Sequence, residues 1–508
     1  MHTPLPTAPT AADAGQYLAL KARDARFDGR FFTGVTSTGI YCRPVCKVRT
    51  PKQENCRFFA LASQAEAAGF RPCMRCRPEL APSGLQALGA QAWSTQDASA
   101  ILARQAAQLL DAPQLWSDGA PSMGQVAERL GVSERHLRRI FEALWGVSPL
   151  QYLQTRRLLT AKQLLTDTQL PIAQVAALSG FASVRRFNTV FVAQYRLQPR
   201  ALRSATGKSS YGSTGHNSGL QLKAAYRPPL DEAALLQFFA QRSLAGVEVV
   251  DVTQLRLART LALDWAGQTL QGWVQLQLLP ARSEVLITVS ESLATALPLV
   301  MARVRSLLDL DADPHAIHAV LQGAFPNSAG LRVPGAVDGF ELAVRAVLGQ
   351  QITVQAARTL GARLVQRFGT PLATPITGLT HLFPSAAQLR HSSDDALGQL
   401  GIVCQRQQAI RALAAAVADG QLALNASADV PATLVALQAL PGIGAWTAHY
   451  IAMRALRWPD AFPAGDVALH KALGVREQPR PAVAAEQASQ AWRPWRSYAT
   501  VRAWSLLN

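Results

Sequence analysis

The chain has 508 residues, of which 49% are hydrophobic and only 16% are charged. This length is too great for one hydrophobic core and predicts about three or four domains. No apolar run approaches the roughly 18 residues that cross a bilayer, which excludes a membrane-spanning protein. The formal net charge of +17 indicates a polyanionic partner, although an acidic protein or a solvated basic surface would account for the same charge.

The positive charge is concentrated in the first half of the chain. Residues 1–220 hold 26 Lys and Arg against 13 Asp and Glu, whereas residues 221–508 hold 24 against 20. The first 15 residues are rich in Pro, Ala and Thr and are expected to lack structure. They show no positive segment followed by an apolar one, so we expect no secretion signal and a cytoplasmic protein associated with the nucleoid.

Composition divides the rest of the chain into segments of different character. Residues 204–219 (SATGKSSYGSTGHNSG) are dense in Gly and Ser, which predicts a flexible linker and the main domain boundary. The alternation in VEVVDVTQLRLARTLAL and WVQLQLLP predicts strands, and the C-terminal region has short helical patterns. The fold class is therefore multi-domain and mainly α. The predicted domains are a small α+β block at 16–82, a helical block at 95–203, a small α+β unit at 221–310 and an all-α domain at 311–508.

Four cysteines form two close pairs. Cys42 and Cys46 are separated by three residues, Cys73 and Cys76 by two, and 26 residues lie between the pairs. This spacing suits a tetrahedral Zn²⁺. Base rates alone favour a purely structural zinc ribbon. The remaining thiols, Cys56 and Cys404, are expected to be ordinary buried residues.

The surroundings of these cysteines indicate more than a structural zinc. The segments DGRFFTGVTSTGIYCRPVCKVRT, ENCRFF and AAGFRPCMRCRPEL, within residues 26–80, resemble the N-terminal domain of the Ada family of alkylation-response proteins. The resemblance implies that Cys42 accepts a methyl group from a methylated DNA phosphate; spacing alone does not select the acceptor. Four thiolates on Zn²⁺ carry a net charge of about −2, and methylation removes one negative charge, so DNA affinity should rise.

Two helix-turn-helix patterns follow the cysteine block. In the first, Ser133 is a predicted N-cap for a helix that carries Arg135, Arg138 and Arg139; in the second, Ser183 precedes Arg185 and Arg186. Joined by QYLQTRRLLTAKQLLTD, they resemble the AraC-type DNA-binding domain over about residues 105–203. The resemblance implies that the helix after each turn enters the major groove, where Arg contacts guanine or phosphate. A solvated helical bundle is the alternative.

The C-terminal region contains a glycine hairpin and an aspartate. In Leu440-Pro441-Gly442-Ile443-Gly444 the two glycines would let the backbone turn tightly and offer N–H groups to a phosphate. Downstream, Asp466 lies in FPAGDVALHKAL, where local reasoning favours a helix N-cap over a catalytic group.

The order of hairpin and aspartate resembles the helix-hairpin-helix DNA glycosylases, and residues 222–508 resemble the AlkA-type 3-methyladenine DNA glycosylase II. The matching segments are VDGFELAVRAVLGQQITVQAA, LPGIGAWTAHY and WRPWRSYATVRAW. The resemblance implies an essential Asp466, whose carboxylate would stabilise an oxocarbenium-like sugar, and a flipped-base pocket lined by Trp446, Tyr450 and Trp504. Gln351 stands at the wedge position, where leucine can occur in the family.

Three departures narrow the predicted chemistry. Trp446 occupies the position of the Schiff-base lysine of lyase-competent relatives, which predicts a monofunctional enzyme. No cysteine follows Asp466, so an iron–sulfur cluster is not expected there. The chain also lacks a Pro-Cys-His-Arg motif, so reversal of O6-methylguanine is not predicted.

The sequence therefore predicts a repair enzyme that hydrolyses the N-glycosidic bond of alkylated purines, fused to a zinc–thiolate methylphosphotriester sensor and a DNA-binding regulator. The predicted partners are alkylated and promoter double-stranded DNA, with no membrane, and the predicted cofactor is Zn²⁺. The alternative is a methylation-activated transcription regulator whose glycosylase-like half only binds DNA.

Overall fold

A computed structural model describes residues 11–83, 98–112, 122–206 and 219–507. They form two compact units, drawn almost entirely from the chain before and after residue 212. The predicted linker lies outside the described residues except at its ends, where residues 204–206 close a helix and Gly219 opens a strand. Within the described part of the chain, no helix has the length and apolarity needed to cross a membrane.

The first unit begins with a small sheet and two helices. Its elements are α1 (Ala11–Ala22), β1 (Phe32–Val35), β2 (Ile40–Cys42), β3 (Cys56–Phe59), α2 (Ala62–Ala67) and β4 (Arg71–Pro72). The strand order is β3-β1-β2-β4, with β1 antiparallel to β2 and β3, and β2 parallel to β4. Because α1 begins at Ala11, the prediction that residues 1–15 lack structure is wrong for residues 11–15.

Helices make up the rest of the first unit. They are α3 (Ala98–Asp111), α4 (Met123–Arg129), α5 (Glu134–Trp145), α6 (Pro149–Asp167), α7 (Ile172–Leu178), α8 (Val184–Tyr195) and α9 (Pro199–Thr206). Ser133 and Ser183 cap α5 and α8, as predicted, because each hydroxyl accepts a backbone N–H of the first turn. Helix α6 starts with a capping box between Ser148 and Gln151 and joins the two helix-turn-helix motifs.

The second unit opens with the predicted α+β part. Its elements are β5 (Gly219–Ala225), α10 (Glu232–Arg242), β6 (Glu248–Asp251), β7 (Arg256–Trp265), β8 (Gln268–Leu279) and β9 (Glu284–Ser290). The sheet order is β5-β9-β8-β7-β6. Strands β7 and β8 form a hairpin whose two loop residues, Ala266 and Gly267, both have positive φ, which matches the twist of a two-residue turn.

A helical bundle completes the second unit. Its helices are α11 (Leu297–Leu307), α12 (Pro314–Leu321), α13 (Gly339–Leu348), α14 (Val354–Phe368), α15 (Ala386–Arg390), α16 (Asp394–Gly398), α17 (Cys404–Ala418), α18 (Val430–Gln438), α19 (Ala445–Arg454), α20 (Val467–Ala472), α21 (Pro481–Ala488) and α22 (Arg496–Ser505). Helix α13 is almost wholly buried, and a Cβ at its first residue, Gly339, would lie 1.9 Å from the carbonyl oxygen of Leu424. Only glycine fits there.

A buried ring of charges connects the sheet to the bundle. Arg259 donates to Glu248 (2.8 Å) and Glu341 (2.7 Å), and Arg345 donates to the same two carboxylates at 3.0 and 2.8 Å. Each buried charge is thus paired twice, which is the condition under which such groups are tolerated inside a protein. The bundle that carries Asp466 is fixed to the sheet by this ring.

Candidate functional site

Two adjacent strand ends bring the four paired cysteines together. Cys42 is the last residue of β2, and Cys73 directly follows β4, which runs parallel to β2. The backbone N–H of Cys73 donates to the Tyr41 carbonyl (2.9 Å). Cys46 and Cys76 lie in the turns that follow. The four Sγ atoms are all within 4.8 Å of one another, and those of Cys46 and Cys73 are 4.0 Å apart.

These distances fit a zinc ion. Four sulfurs at about 2.3 Å from a tetrahedral Zn²⁺ are about 3.8 Å apart, close to the observed separations. Cys42, Cys46, Cys73 and Cys76 thus supply a complete Zn²⁺ ligand set. Of the other thiols, Cys56 is half-buried and Cys404 is exposed, so the expectation that both are buried is wrong; each stands at the start of an element near the surface.

Arg43 supports the sulfur cluster, a role that spacing did not reveal. Its backbone N–H donates to Cys76 Sγ (3.3 Å), and its guanidinium donates to the Cys76 carbonyl (3.0 Å) and to the buried carboxylate of Asp28 (2.8 Å). The Cys76 sulfur is therefore held by a hydrogen bond. The signal in the sequence was the position of Arg43, directly after Cys42.

The sulfur-bearing part of the first unit is joined to the helices by buried polar contacts. Glu66 on α2 accepts from the hydroxyl groups of Tyr41 (3.0 Å) and Thr155 on α6 (2.8 Å), and burial raises its pKa to about 8. Gln64 donates to the Trp145 carbonyl at the end of α5 (3.0 Å), and Gln194 on α8 donates to the Phe70 carbonyl (3.2 Å). Helix α2 and the residue before β4 thus contact the two helix-turn-helix motifs and the helix that joins them.

The arginines predicted to bind DNA are all exposed on α5 and α8. Arg135 and Arg185 are each the second residue of their helix after the serine cap, so the two helices present arginine in the same register. Arg186 follows directly on α8. One turn further along α5, Arg138 pairs with Glu142 (2.8 Å) and Arg139 contacts His136 (3.1 Å).

Asp466 is held by three donors in the second unit. It is the N-cap of α20, with Oδ1 accepting the Leu469 N–H at 2.7 Å, so the local prediction of a cap is confirmed. The same oxygen accepts the indole N–H of Trp504 (3.0 Å), and Oδ2 accepts that of Trp446 (2.8 Å). A carboxylate has about four lone-pair sites for hydrogen bonds, and the site that these three donors leave open is on Oδ2.

The three predicted pocket aromatics lie together around this carboxylate. Trp446 and Tyr450, one turn apart on α19, are stacked with ring centres 5.3 Å apart, and the Trp504 ring lies 6.3 Å from Tyr450. Such a group of rings offers electron-rich faces to a cationic base. The structure brings Asp466 and its three predicted aromatic neighbours into one site.

Two arginines act on Tyr450, and neither was predicted. Arg454 donates to the Tyr450 hydroxyl (2.6 Å), and its guanidinium also lies over the ring of Phe238. The guanidinium of Arg242 lies over the same Phe238 ring, 3.8 Å from the ring centre. Burial alone would raise the pKa of Tyr450, but the charges of Arg454 and Arg242 outweigh it, and the pKa lies below its ordinary value. Arg242 and Phe238 lie on α10, about 200 residues before Tyr450 in the sequence, so no local pattern could have found them.

The hairpin and the predicted wedge are linked by Gln350. Its side-chain amide donates to the Gly442 carbonyl (2.9 Å) and the Thr447 hydroxyl (3.0 Å). The next residue, Gln351, is exposed with a φ of +54°, a conformation rare for residues with a side chain. The polar tip of Gln351 therefore projects from a turn that is fastened to the hairpin.

The two hairpin glycines differ. Gly442 has a φ of +74°, which only glycine adopts at low cost, whereas Gly444 has an ordinary φ and a Cβ there would meet nothing within 4 Å. Gly444 precedes α19, whose start has no side-chain cap. Glycine at 444 thus leaves open backbone N–H groups for an approaching anion.

Comparison with known proteins gives four consecutive family matches. They are the metal binding domain of Ada (residues 15–79), a helix-turn-helix domain (126–205), the AlkA N-terminal domain (220–338) and the HhH-GPD superfamily of base excision DNA repair proteins (344–496). Together they cover both compact units.

Curated relatives match either almost the whole chain or one part of it. The chain is 39% identical to a probable bifunctional transcriptional activator/DNA repair enzyme AlkA of Mycobacterium tuberculosis, over 97% of this chain and 96% of that protein. It is 33% identical to DNA-3-methyladenine glycosylase 2 of Escherichia coli K12, over 55% of this chain and 95% of the relative. It is 35% identical to the bifunctional transcriptional activator/DNA repair enzyme Ada of Escherichia coli K12, over 28% of this chain and 36% of the relative.

Proposed function

We propose, from the premise that this chain belongs to the family of bifunctional transcriptional activator/DNA repair enzymes of the AlkA type, that it excises alkylated purines from duplex DNA and senses methylated DNA phosphates. It is a DNA glycosylase fused to a zinc-binding, DNA-binding regulator, and it acts on alkylated and promoter DNA at the nucleoid in the cytoplasm. The observation that carries the glycosylase assignment is the carboxylate of Asp466 held between two indole groups.

Asp466 stabilises the charge that develops on the sugar. As the N-glycosidic bond breaks, the deoxyribose becomes oxocarbenium-like, and a fixed carboxylate beside it lowers the energy of that state. Its three donors hold its orientation before the substrate arrives, so little reorganisation is needed during the reaction. The open position on Oδ2 can accept a hydrogen bond from the attacking water.

The aromatic rings receive the flipped base. A 3-alkylated adenine carries positive charge, and the faces of Trp446, Tyr450 and Trp504 attract a cation. Arg454 donates to the Tyr450 hydroxyl and fixes the position of the ring. A cationic purine is also a good leaving group, so the site needs little acid catalysis.

The same region supports a monofunctional reaction. Trp446 stands where a Schiff-base lysine would be needed, and the sequence from the hairpin to Asp466 contains no lysine. Water is therefore the nucleophile, and the product is an abasic site with an intact strand.

Three groups of residues contact the DNA. The N–H groups after Gly444 bind a backbone phosphate, and Gln351 enters the gap left by the flipped base. In the first unit, Arg135, Arg138 and Arg139 on α5 and Arg185 and Arg186 on α8 contact base edges and phosphates in successive major-groove segments. Their shared register suits two similar half-sites.

Cys42 is the methyl acceptor of the sensor. Bound Zn²⁺ keeps the four sulfurs as thiolates, which are the nucleophilic form. Cys76 accepts a hydrogen bond from the Arg43 N–H, which lowers the nucleophilicity of its sulfur and leaves Cys42, Cys46 and Cys73 as candidates; among these, the resemblance to Ada selects Cys42. Transfer converts Cys42 to a thioether and removes one negative charge near DNA, so promoter affinity rises after the reaction.

Base release from methylated duplex DNA tests the enzyme. We expect the purified full chain to liberate free 3-methyladenine and to leave strands intact, with no adduct trapped by borohydride. A protein that binds this DNA but liberates no base would instead be a regulator whose second unit only binds DNA.

Mass spectrometry tests the sensor. Incubation with DNA that carries one methylphosphotriester should add one methyl group to the Cys42 peptide. Cys404→Ser, which changes an exposed thiol outside the cluster, is the matched control and should take up methyl as the wild type does. Methyl on another cysteine, or on none, would contradict the assignment.

A further inference from the structure

An apolar cavity lies against the sulfur cluster of the first unit. Its volume is about 250 Å³, and three of the four cysteines, Cys42, Cys46 and Cys73, form part of its wall. Most of the remaining wall is aliphatic and comes from Leu20, Val35, Ile40, Val48 and Pro51. Cys76 does not line the cavity, so the open space selects among the sulfurs.

The cavity is larger than a methyl transfer requires. A water molecule occupies about 30 Å³ in the liquid, and a methyl group has a similar size, so the cavity exceeds a methyl group several-fold. Cavities with apolar walls stay dry and accept small apolar groups. Leu20 and Val35 are buried, so this space is part of the folded domain and not only a surface groove.

We propose that this cavity takes the chain of alkyl groups longer than methyl, and that Cys42 accepts primary alkyl groups of about two to four carbons from DNA phosphotriesters. This inference rests on the proposed transfer to Cys42. It widens the substrate class of the sensor from methylated to alkylated phosphates.

The chemistry is the same for each chain length. Cys42 Sγ attacks the first carbon of the alkyl group in line with its bond to the phosphate oxygen. The S–C bond forms as the C–O bond breaks, and the bonding pair leaves on oxygen, giving a thioether and an ordinary phosphodiester anion. The carbons beyond the first point away from the S–C–O line, and the cavity beside the sulfurs provides the space for them.

The composition of the wall suits both parts of such a substrate. Each methylene that leaves water for an apolar site strengthens binding about fourfold, which offsets part of the slower displacement at a more crowded carbon. Arg49 is exposed and also lines the cavity, so a cation suited to phosphate lies beside walls suited to an alkyl chain.

Single-turnover transfer from three oligonucleotides tests the inference. Each carries one methyl, ethyl or n-propyl phosphotriester, the full zinc-loaded chain is used, and the mass added to the Cys42 peptide identifies the group. We expect all three groups to be transferred. In Val48→Phe the ratio of propyl to methyl rate should fall by at least about tenfold, because the ring fills the cavity.

Two further variants keep the test decisive. Ser37→Phe places the same ring on an exposed neighbouring turn that does not line the cavity, and it should leave the ratio unchanged. Val48→Ala enlarges the cavity and should keep or raise the ratio. Zinc content, measured for each variant, verifies that the cluster is intact.

The possible failures are distinguishable. Transfer of methyl but of neither longer group by the wild type would overturn this inference and leave the proposed sensor standing. No transfer of any group would contradict the proposed sensor itself. If Val48→Phe and Ser37→Phe changed the ratio equally, the cavity would not hold the chain.

Discussion

Removing one indole donor from Asp466 at a time probes how the carboxylate is positioned. Trp446→Phe keeps a ring that can stack on Tyr450 but removes the one donor to Oδ2, whereas Trp504→Phe leaves Oδ1 with the Leu469 N–H. After Trp446→Phe both remaining donors are on one oxygen, and the carboxylate can rotate. We therefore expect the larger loss of base release in Trp446→Phe.

The size of the effect follows from the hydrogen bonds. A bond to a charged group contributes about 1.5–3 kcal/mol, which corresponds to a rate loss between about tenfold and about 150-fold if it is fully expressed in the transition state. Trp446→Phe should lie in this range. Trp504→Phe should lie at or below its lower end, because Leu469 still holds the shared oxygen.

The assay is single-turnover release of 3-methyladenine, measured for both variants in the wild-type and the Asp466→Asn backgrounds. If the indoles act through the carboxylate, each loss should shrink several-fold when Asp466 is already asparagine. Trp265→Phe, the same change at a half-buried position at the end of β7, is the control and should release base at the wild-type rate. Equal losses in both backgrounds would refute the argument and assign the tryptophans to packing alone.

Three further predictions concern the contacts around the two sites. Gln350→Ala removes the hydrogen bonds that join the turn carrying Gln351 to the hairpin. In a kinetic comparison, the rate of base release should fall about tenfold for a lesion in duplex DNA and less for a lesion in single-stranded DNA. In the folded protein the Glu66 carboxyl keeps its proton up to about pH 8, whereas in the unfolded chain the same carboxyl loses its proton near pH 4.3. The contribution of Glu66 to the free energy of unfolding therefore falls by up to about 1.4 kcal/mol per pH unit between these two pH values. The stability of Glu66→Gln relative to wild type, from denaturant unfolding, should therefore rise across that window and level off above it; a flat difference would be contradictory. Removing zinc with a chelator should weaken promoter binding in a fluorescence anisotropy titration, because Gln64 connects the zinc-bearing part to the end of α5.

Local chemistry made much of the fold predictable. The serine caps at 133 and 183, the two cysteine pairs and the alternating strands β7 and β8 are set by neighbours within a few residues, and the structure confirms each of them. The predicted cap at Asp466 belongs to the same class.

The contacts that shape the candidate site were not predictable, because they join distant parts of the chain. Trp504 lies 38 residues after Asp466, and Gln350 lies 92 residues before Gly442. Only the folded bundle brings them together. Cys404 shows the reverse error: its type suggested burial, but its place at the start of α17 left it exposed.

In the proposed reaction Asp466 is a catalytic carboxylate and not only a helix cap. Asparagine caps a helix about as well as aspartate, so Asp466→Asn keeps the cap and removes the charge. Asp429→Asn is the matched control, because Asp429 caps α18 of the same bundle through the Ala432 N–H. A unit charge about 4 Å from the developing cation is worth about 4 kcal/mol at an effective dielectric constant near 20, or about a thousandfold in rate.

The most direct measurement is single-turnover release of 3-methyladenine from duplex DNA by the two variants, at protein concentrations that saturate binding. We expect a loss of about a thousandfold or more for Asp466→Asn, with DNA binding retained, and the wild-type rate for Asp429→Asn. Release by Asp466→Asn at the wild-type rate would contradict this expectation.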